Sequence, residues 1–162
     1  MPLASAETLA LAGMMGSGKS TVAAILGRLL GRPVVSVDAE IVRRAGKGIP
    51  EIFAGEGEPA FRALERHAVA ALPAGVVADL GGGAFCDPAS AARLLATARV
   101  VFLDVSQAEA ARRLGEGEGR PLAASWAPLL AARLPLYRRA HLTVGVDGLA
   151  PEAVARRILG AL

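Results

Sequence analysis

The chain predicts an α/β fold, a three-layer α/β/α arrangement around a five-stranded parallel sheet. Short apolar runs at 8–12, 33–37, 75–80, 99–103 and 141–146 alternate with stretches of helical character. That alternation builds a parallel sheet with helices on both faces. Several of the runs are bounded by Gly, Pro or Asp and lack polar alternation, which suits strands buried on both sides. No internal repeat or interdomain linker interrupts the pattern, so residues 1–162 are expected to form a single domain.

The first strand candidate ends in Leu9-Ala10-Leu11-Ala12 and opens into GMMGSGKST, Gly13 to Thr21. This is a full phosphate-binding loop, G-x-x-x-x-G-K-[ST], followed by the helical pattern Val22-Ala23-Ala24-Ile25-Leu26. Strand, loop and helix in that order mark a working loop. Its glycines let successive N–H groups point at phosphate oxygens, and the helix aims its positive end at the same place. Gly16, Ser17, Gly18, Lys19, Ser20 and Thr21 are therefore the expected nucleotide contacts. Lys19 can reach the β- and γ-phosphates, and the Ser20 hydroxyl can ligate Mg²⁺.

The second strand candidate is followed by Asp38, where ligands of open parallel sheets sit. Asp38 can meet a substrate or a metal there, or cap a helix over Ala39–Ala45. Residues 38–72 hold two or three helical segments, more than a simple crossover needs. Within them, Glu65 lies three residues after Arg62, close enough to pair with it and hold its side chain. Gly81-Gly82-Gly83 follows the third strand candidate, and glycines at a strand end let backbone approach a ligand closely or form a tight turn. Asp87-Pro88 starts the next helix, with Asp as cap and Pro in the first turn. Ser106-x-x-Glu109 is a capping box for another. Residues 115–125, GEGEGRPLAAS, read as a mobile loop. An arginine on a closing loop, here Arg120, is a natural clamp on a transferring phosphoryl group. Arg133 precedes Pro135-Leu136-Tyr137, and a last helix follows Pro151-Glu152.

Composition limits the partners. Hydrophobic residues make up 53% of the 162 residues and charged residues 20%, enough for a real core. No apolar run approaches the ~20 residues that span a membrane. No basic and apolar leader follows Met1, so no signal peptide is expected. The single cysteine, Cys86, cannot form an internal disulfide and fits a reducing compartment; it reads as a small packing residue. The net charge of +3 suits anionic small molecules as well as nucleic acid. Scattered arginines and few aromatics argue against nucleic acid.

Taken together, the motifs resemble the shikimate kinase family. The matching pieces are GMMGSGKST at 13–21, Asp38, IPEIFAGEGEPAFRALE at 49–65, GGGA at 81–84, RRLGEGEGRPLAA at 112–124 and RLPLYRRA at 133–140. They run through the chain in order and without large gaps. The resemblance implies a P-loop kinase fold with a helical substrate-binding insert at 38–72 and a mobile lid at 115–125. It implies transfer of the ATP γ-phosphate to the 3-hydroxyl of shikimate, with Mg²⁺, in a cytoplasmic monomer. By the same resemblance Lys19 polarises the phosphates, Ser20 holds Mg²⁺ and Asp38 accepts hydrogen bonds from shikimate hydroxyls. Arg62 and Arg133 grip the carboxylate with the Gly82 backbone near by, Phe53 and Phe61 wall the carbocycle, and Arg120 closes onto the phosphates. Asp38 is the candidate base.

Two positions depart from the family pattern. The family usually shows Asp-x-Asp after the second strand, its first Asp helping to hold the metal's waters; here the stretch is Ser36-Val37-Asp38. Before the glycines, Ser or Thr is usual, and this chain has Asp79. An aspartate ending an apolar strand is the general second metal-site motif of phosphate-loop enzymes, so Asp79 is a metal candidate expected to take the outer-shell role left vacant at Ser36, both ending neighbouring strands, with a turn cap as the alternative. A late basic residue on the adenine side is also missing in 145–150, which leaves Arg112 or Arg113 for that role. Competing readings are another small-molecule kinase, such as a gluconate kinase, and a non-catalytic nucleotide-binding relative. Residues 49–65 with Arg62 and Arg133 count against the first. The intact site residues count against the second.

Overall fold

Five parallel strands, β1 (Thr8–Ala12), β2 (Val34–Ser36), β3 (Val77–Asp79), β4 (Ala98–Asp104) and β5 (Leu142–Gly145), pair in the order β2-β3-β1-β4-β5. The computed structural model describes residues 2–115 and 122–162. Each strand candidate from the sequence is present, with bounds that shift by one or two residues. Every residue of β1 is buried, as a central strand covered on both faces requires.

Eight α-helices connect and flank the strands: α1 (Lys19–Leu30), α2 (Val37–Ala45), α3 (Ile49–Glu56), α4 (Glu58–Ala70), α5 (Pro88–Thr97), α6 (Gln107–Leu114), α7 (Leu122–Tyr137) and α8 (Pro151–Ala161). The insert at 38–72 therefore contributes three helices. α1 packs with α8 and lies along β1, β2 and β3, while α5 packs on β4 and against α4. Asp87 caps α5 by accepting from the Ser90 N–H at 3.0 Å, and Ser106 caps α6 through the Glu109 N–H at 3.2 Å.

Two expectations change. The cap of α2 is Ser36, whose hydroxyl accepts from the Ala39 N–H at 3.2 Å; Asp38 lies inside the first turn, so it is not the cap. The helix starts at Val37 because a serine at the strand end already satisfies one free N–H. The loop expected to reach residue 125 ends earlier, since α7 begins at Leu122. α7 runs through Pro128 and Pro135, residues that ordinarily interrupt a helix, so sequence rules alone would have split it.

The order of the strands decides where ligands sit. β1 leads out to β2 on one side, and the chain later returns from β3 to β4 on its other side, which makes the carboxyl end of β1 the switch point of the sheet. The phosphate-binding loop leaves β1 there. In register, Asp79 is paired with Leu11 on one side and with Ser36 on the other.

Candidate active site

The loop from Gly13 to Gly18 turns on positive φ angles at Gly13 (151°), Gly16 (84°) and Gly18 (90°), conformations that side chains resist. Gly18 caps α1 without any side chain accepting from the helix's first N–H groups. Those donors stay available for an anion, where the helix dipole favours it. Lys19 folds over the loop, its ammonium donating to the carbonyls of Gly13 at 2.7 Å and Met14 at 3.2 Å. Burial holds the Lys19 amine below its ordinary value, against the opposing pull of Asp79 and Asp38. The loop carbonyls thus hold the Lys19 head group at the mouth of the nest.

Ser20, the next residue, donates its hydroxyl to Asp79 Oδ2 at 2.6 Å. The carboxylate at the end of β3 therefore faces the loop serine across the sheet edge. A magnesium ion is ordinarily held by one or two protein oxygens together with phosphates and water. Ser20 and Asp79 supply that donor set, so the site fits the ion.

Beyond β3, the three glycines form a platform for three side chains. A Cβ on Gly81 would collide with the Asp38 carboxylate. One on Gly82 would sit 3.0 Å from an Arg133 guanidinium nitrogen, and one on Gly83 would sit 2.5 Å from Arg62. One carboxylate and two guanidinium groups therefore gather around the Gly81–Gly83 turn. The turn brings together Asp38, Arg62, Gly82 and Arg133 from four separate stretches of chain.

Arg62 is held from behind. Arg62 donates through one nitrogen to both oxygens of the buried Glu65, at 2.9 and 3.1 Å, and Glu58 lies 3.5 Å from its Nε. Its guanidinium also sits over the Phe61 ring, 5.2 Å from the centroid. Burial pushes the Glu65 carboxyl up, opposed by Arg62. Arg133 makes no ion pair among the described residues; its guanidinium reaches Met14 Sδ at 4.0 Å. One turn on, Tyr137 donates its hydroxyl to the Gly82 carbonyl and stacks on Phe102 at 4.8 Å. Burial raises the Tyr137 hydroxyl to about 12, so it stays a donor. Phe53, exposed, meets Phe61, buried, at 4.7 Å. The carboxyl of Asp38 is raised first by burial and then by Asp79, against the opposing pull of Lys19 and Arg62. Cys86 is partly buried, and burial raises its thiol, which fits a packing residue.

On the other side of the loop lies a cavity of about 730 Å³, lined by loop residues, Arg112, Arg113, Leu114 and residues 148–151. Arg113 is tied to Glu109 at 3.0 Å and to the carbonyls of Ser17 at 3.2 Å and Val146 at 3.0 Å. It latches the loop to the end of β5. Arg112 is bound to Glu109 at 2.6 Å and borders the same cavity. Sequence reasoning missed Trp126, which is buried and donates its indole N–H to the Met15 carbonyl at 3.0 Å. A lone tryptophan in a helix carries no local signal for that. Arg120 and the residues on either side of it, 116–121, lie outside the described residues.

A phosphate-binding loop at the switch point, a buried lysine, a serine–carboxylate pair and a cluster of one acid and two guanidinium groups define a P-loop kinase for a small acidic molecule. The family model described as shikimate kinase matches residues 15–162. The chain belongs to the shikimate kinase family. A shikimate kinase of Limosilactobacillus fermentum is 45% identical over 95% of this chain and 94% of its own length. That of Saccharopolyspora erythraea is 47% identical over 91% and 89%. The structure of the Acinetobacter baumannii shikimate kinase in complex with shikimate superposes with a TM-score of 0.89 at 34% identity, covering 96% of this chain and 92% of that one. A gluconokinase from Sinorhizobium meliloti gives a TM-score of 0.60 at 20% identity over 96% and 91%, a likeness of fold alone.

Proposed function

We propose that the chain transfers the γ-phosphate of ATP to the 3-hydroxyl of shikimate. The observation that carries this reading is the gathering of one acceptor, Asp38, and two cations, Arg133 and Arg62, around Gly81–Gly83. A small polyhydroxy acid needs bidentate cations for its carboxylate and an acceptor for its hydroxyls. Arg62 and Arg133 bind the carboxylate, and Arg133 is the more available of the two because no carboxylate of the described residues occupies it. Asp38 then faces the ring hydroxyls.

In the transfer, Asp38 accepts the proton of the attacking hydroxyl as its oxygen bonds to the γ-phosphorus. The bond from that phosphorus to the bridging β–γ oxygen breaks, and ADP leaves with that oxygen. Lys19 moves from the loop carbonyls to the phosphates and stabilises the charge that spreads over them. The free N–H groups of the loop and of the start of α1 hold the rest. Magnesium, when bound, neutralises part of the phosphate charge and fixes the polyphosphate's orientation. Arg120 is assigned to the phosphates on the family pattern alone. The adenine end is assigned to the cavity beside Arg112 and Arg113. The same reading has residues 1–162 act as one kinase domain, a cytoplasmic monomer that binds neither nucleic acid nor membrane. Among the described residues no helix is long and apolar enough to cross a membrane.

A coupled ADP-release assay with shikimate, quinate and gluconate tests the reading. ADP release that requires both Mg²⁺ and shikimate is expected. Turnover with gluconate equal to or faster than with shikimate, or none with shikimate, rejects it.

A further inference from the structure

We propose that Asp79 is the carboxylate that positions Ser20 for the metal, and that a carboxylate at the register partner, position 36, can stand in for it. This rests on the kinase reading above. The hydroxyl of Ser20 points its hydrogen at Asp79 Oδ2, at 2.6 Å. With the hydrogen committed there, the lone pairs of Ser20 Oγ are left free to ligate a cation. Asp79 Oδ1 has no protein donor among the described residues, so it remains open to metal-bound water. Asp79 thus orients the ligand and offers one further acceptor, the two tasks of a carboxylate beside a metal's ligands.

Register explains why the carboxylate can change strands. Ser36 and Asp79 are Cα partners at the ends of β2 and β3, and neighbouring strands lie about 4.8 Å apart. A carboxylate at position 36 would start one strand spacing from Asp79 at the same edge of the sheet. Here the side chain at 36 is engaged elsewhere, since its hydroxyl caps α2 through the Ala39 N–H. An aspartate can cap a helix as well as a serine does, so Ser36→Asp is compatible with the fold. Both acids present at once would put two like charges next to Asp38. One carboxylate, on either strand, is the arrangement that this crowding favours.

The test measures metal binding without turnover. Mn²⁺ is titrated into the protein with saturating ADP and followed by electron paramagnetic resonance, for the parent, Asp79→Asn, and Ser36→Asp with Asp79→Asn. Asp79→Asn is expected to weaken Mn²⁺ by roughly 10–100-fold, far more than it changes metal-free ADP binding. The double variant is expected to recover most of the loss, a rescue that a purely structural role for Asp79 would not show. A titration of Asp79→Asn that overlays the parent overturns the proposal. So does a loss that Ser36→Asp fails to repair. If shikimate were the wrong substrate, the Mn²⁺ titration would still report on Asp79, so the two failures are distinguishable.

Discussion

Trp126 holds Met15 by a hydrogen bond from its indole N–H to the Met15 carbonyl, 3.0 Å long and 111 residues apart in sequence. The first turns of α7 are thereby fastened to the loop that wraps the phosphates. Trp126 is the chain's only tryptophan and is fully buried. ADP is therefore expected to change its emission, because the nucleotide loads the carbonyl's own loop. Trp126→Phe should abolish the signal and weaken ADP severalfold, in line with about 0.5–1.5 kcal/mol for one hydrogen bond. A titration in which ADP binds and the emission stays constant would uncouple the pair.

Arg62 and Arg133 should differ when each is changed to Ala. Both variants are expected to raise the KM for shikimate tenfold or more, because a charge-assisted hydrogen bond contributes about 1.5–3 kcal/mol. ADP affinity should survive in both. Only Arg62→Ala should also lower the Tm, since it strips the buried Glu65 of its ion-pair partner. Loss of a partner to a buried acceptor costs about 1–3 kcal/mol. Among the described residues Arg133 has no such dependent carboxylate. Equal melting curves for the two variants would show that Glu65 does not rely on Arg62.

Asp38 links activity to stability through pH. Its folded carboxyl is raised above the ordinary 3.8 by burial and by Asp79. Between the unfolded and folded values the native state holds more protons than the unfolded chain, so stability falls as pH rises through that window. Above that window the full cost of the ionised carboxylate is present. Asp38→Asn is therefore expected to raise Tm at pH 7 while abolishing turnover, with the gain in Tm shrinking as pH drops through the carboxylate range. The acid limb of kcat/KM for the parent should lie above the pH of an ordinary aspartate, since that limb reports the free enzyme's base. A melting comparison across pH 4–8 with constant difference would contradict this.

Arg120→Ala should lower kcat more than it raises the KM for shikimate, because the family pattern assigns its contact to the phosphates. Steady-state kinetics with both substrates varied measures this. A rise in shikimate KM with unchanged kcat would move Arg120 to the acid side of the site.

Much of this site was legible where its signals are local. The strand, loop and helix around GMMGSGKST, the caps at Asp87 and Ser106, and the pairing of Arg62 with Glu65 three residues on all follow from short-range spacing. What stayed hidden depends on the sheet. The sequence already set Asp79 and Ser36 at the ends of neighbouring strands, as their register shows; the direct bond from Ser20 to Asp79 emerges only from the order β2-β3-β1-β4-β5. Reading position 36 as a vacancy overlooked the cap that its hydroxyl supplies. Trp126 to Met15 and Tyr137 to Gly82 span 111 and 55 residues, and no periodicity announces such partners. Two prolines inside α7 argued against the very helix that carries both of those bonds.

That helix acts as a ruler. Trp126 marks the nucleotide's loop, and Tyr137, with Arg133 one turn before it, marks the acid's platform. Eleven residues of helix set the two marks about 16 Å apart. A single residue inserted or removed between them would change that length by about 1.5 Å and swing one mark by roughly 100° around the axis. Reacting atoms must meet within about 3–3.5 Å, so the chain can vary the composition of this span but not its residue count. Length polymorphism among working variants should therefore fall on either side of residues 126–137 and spare the span itself.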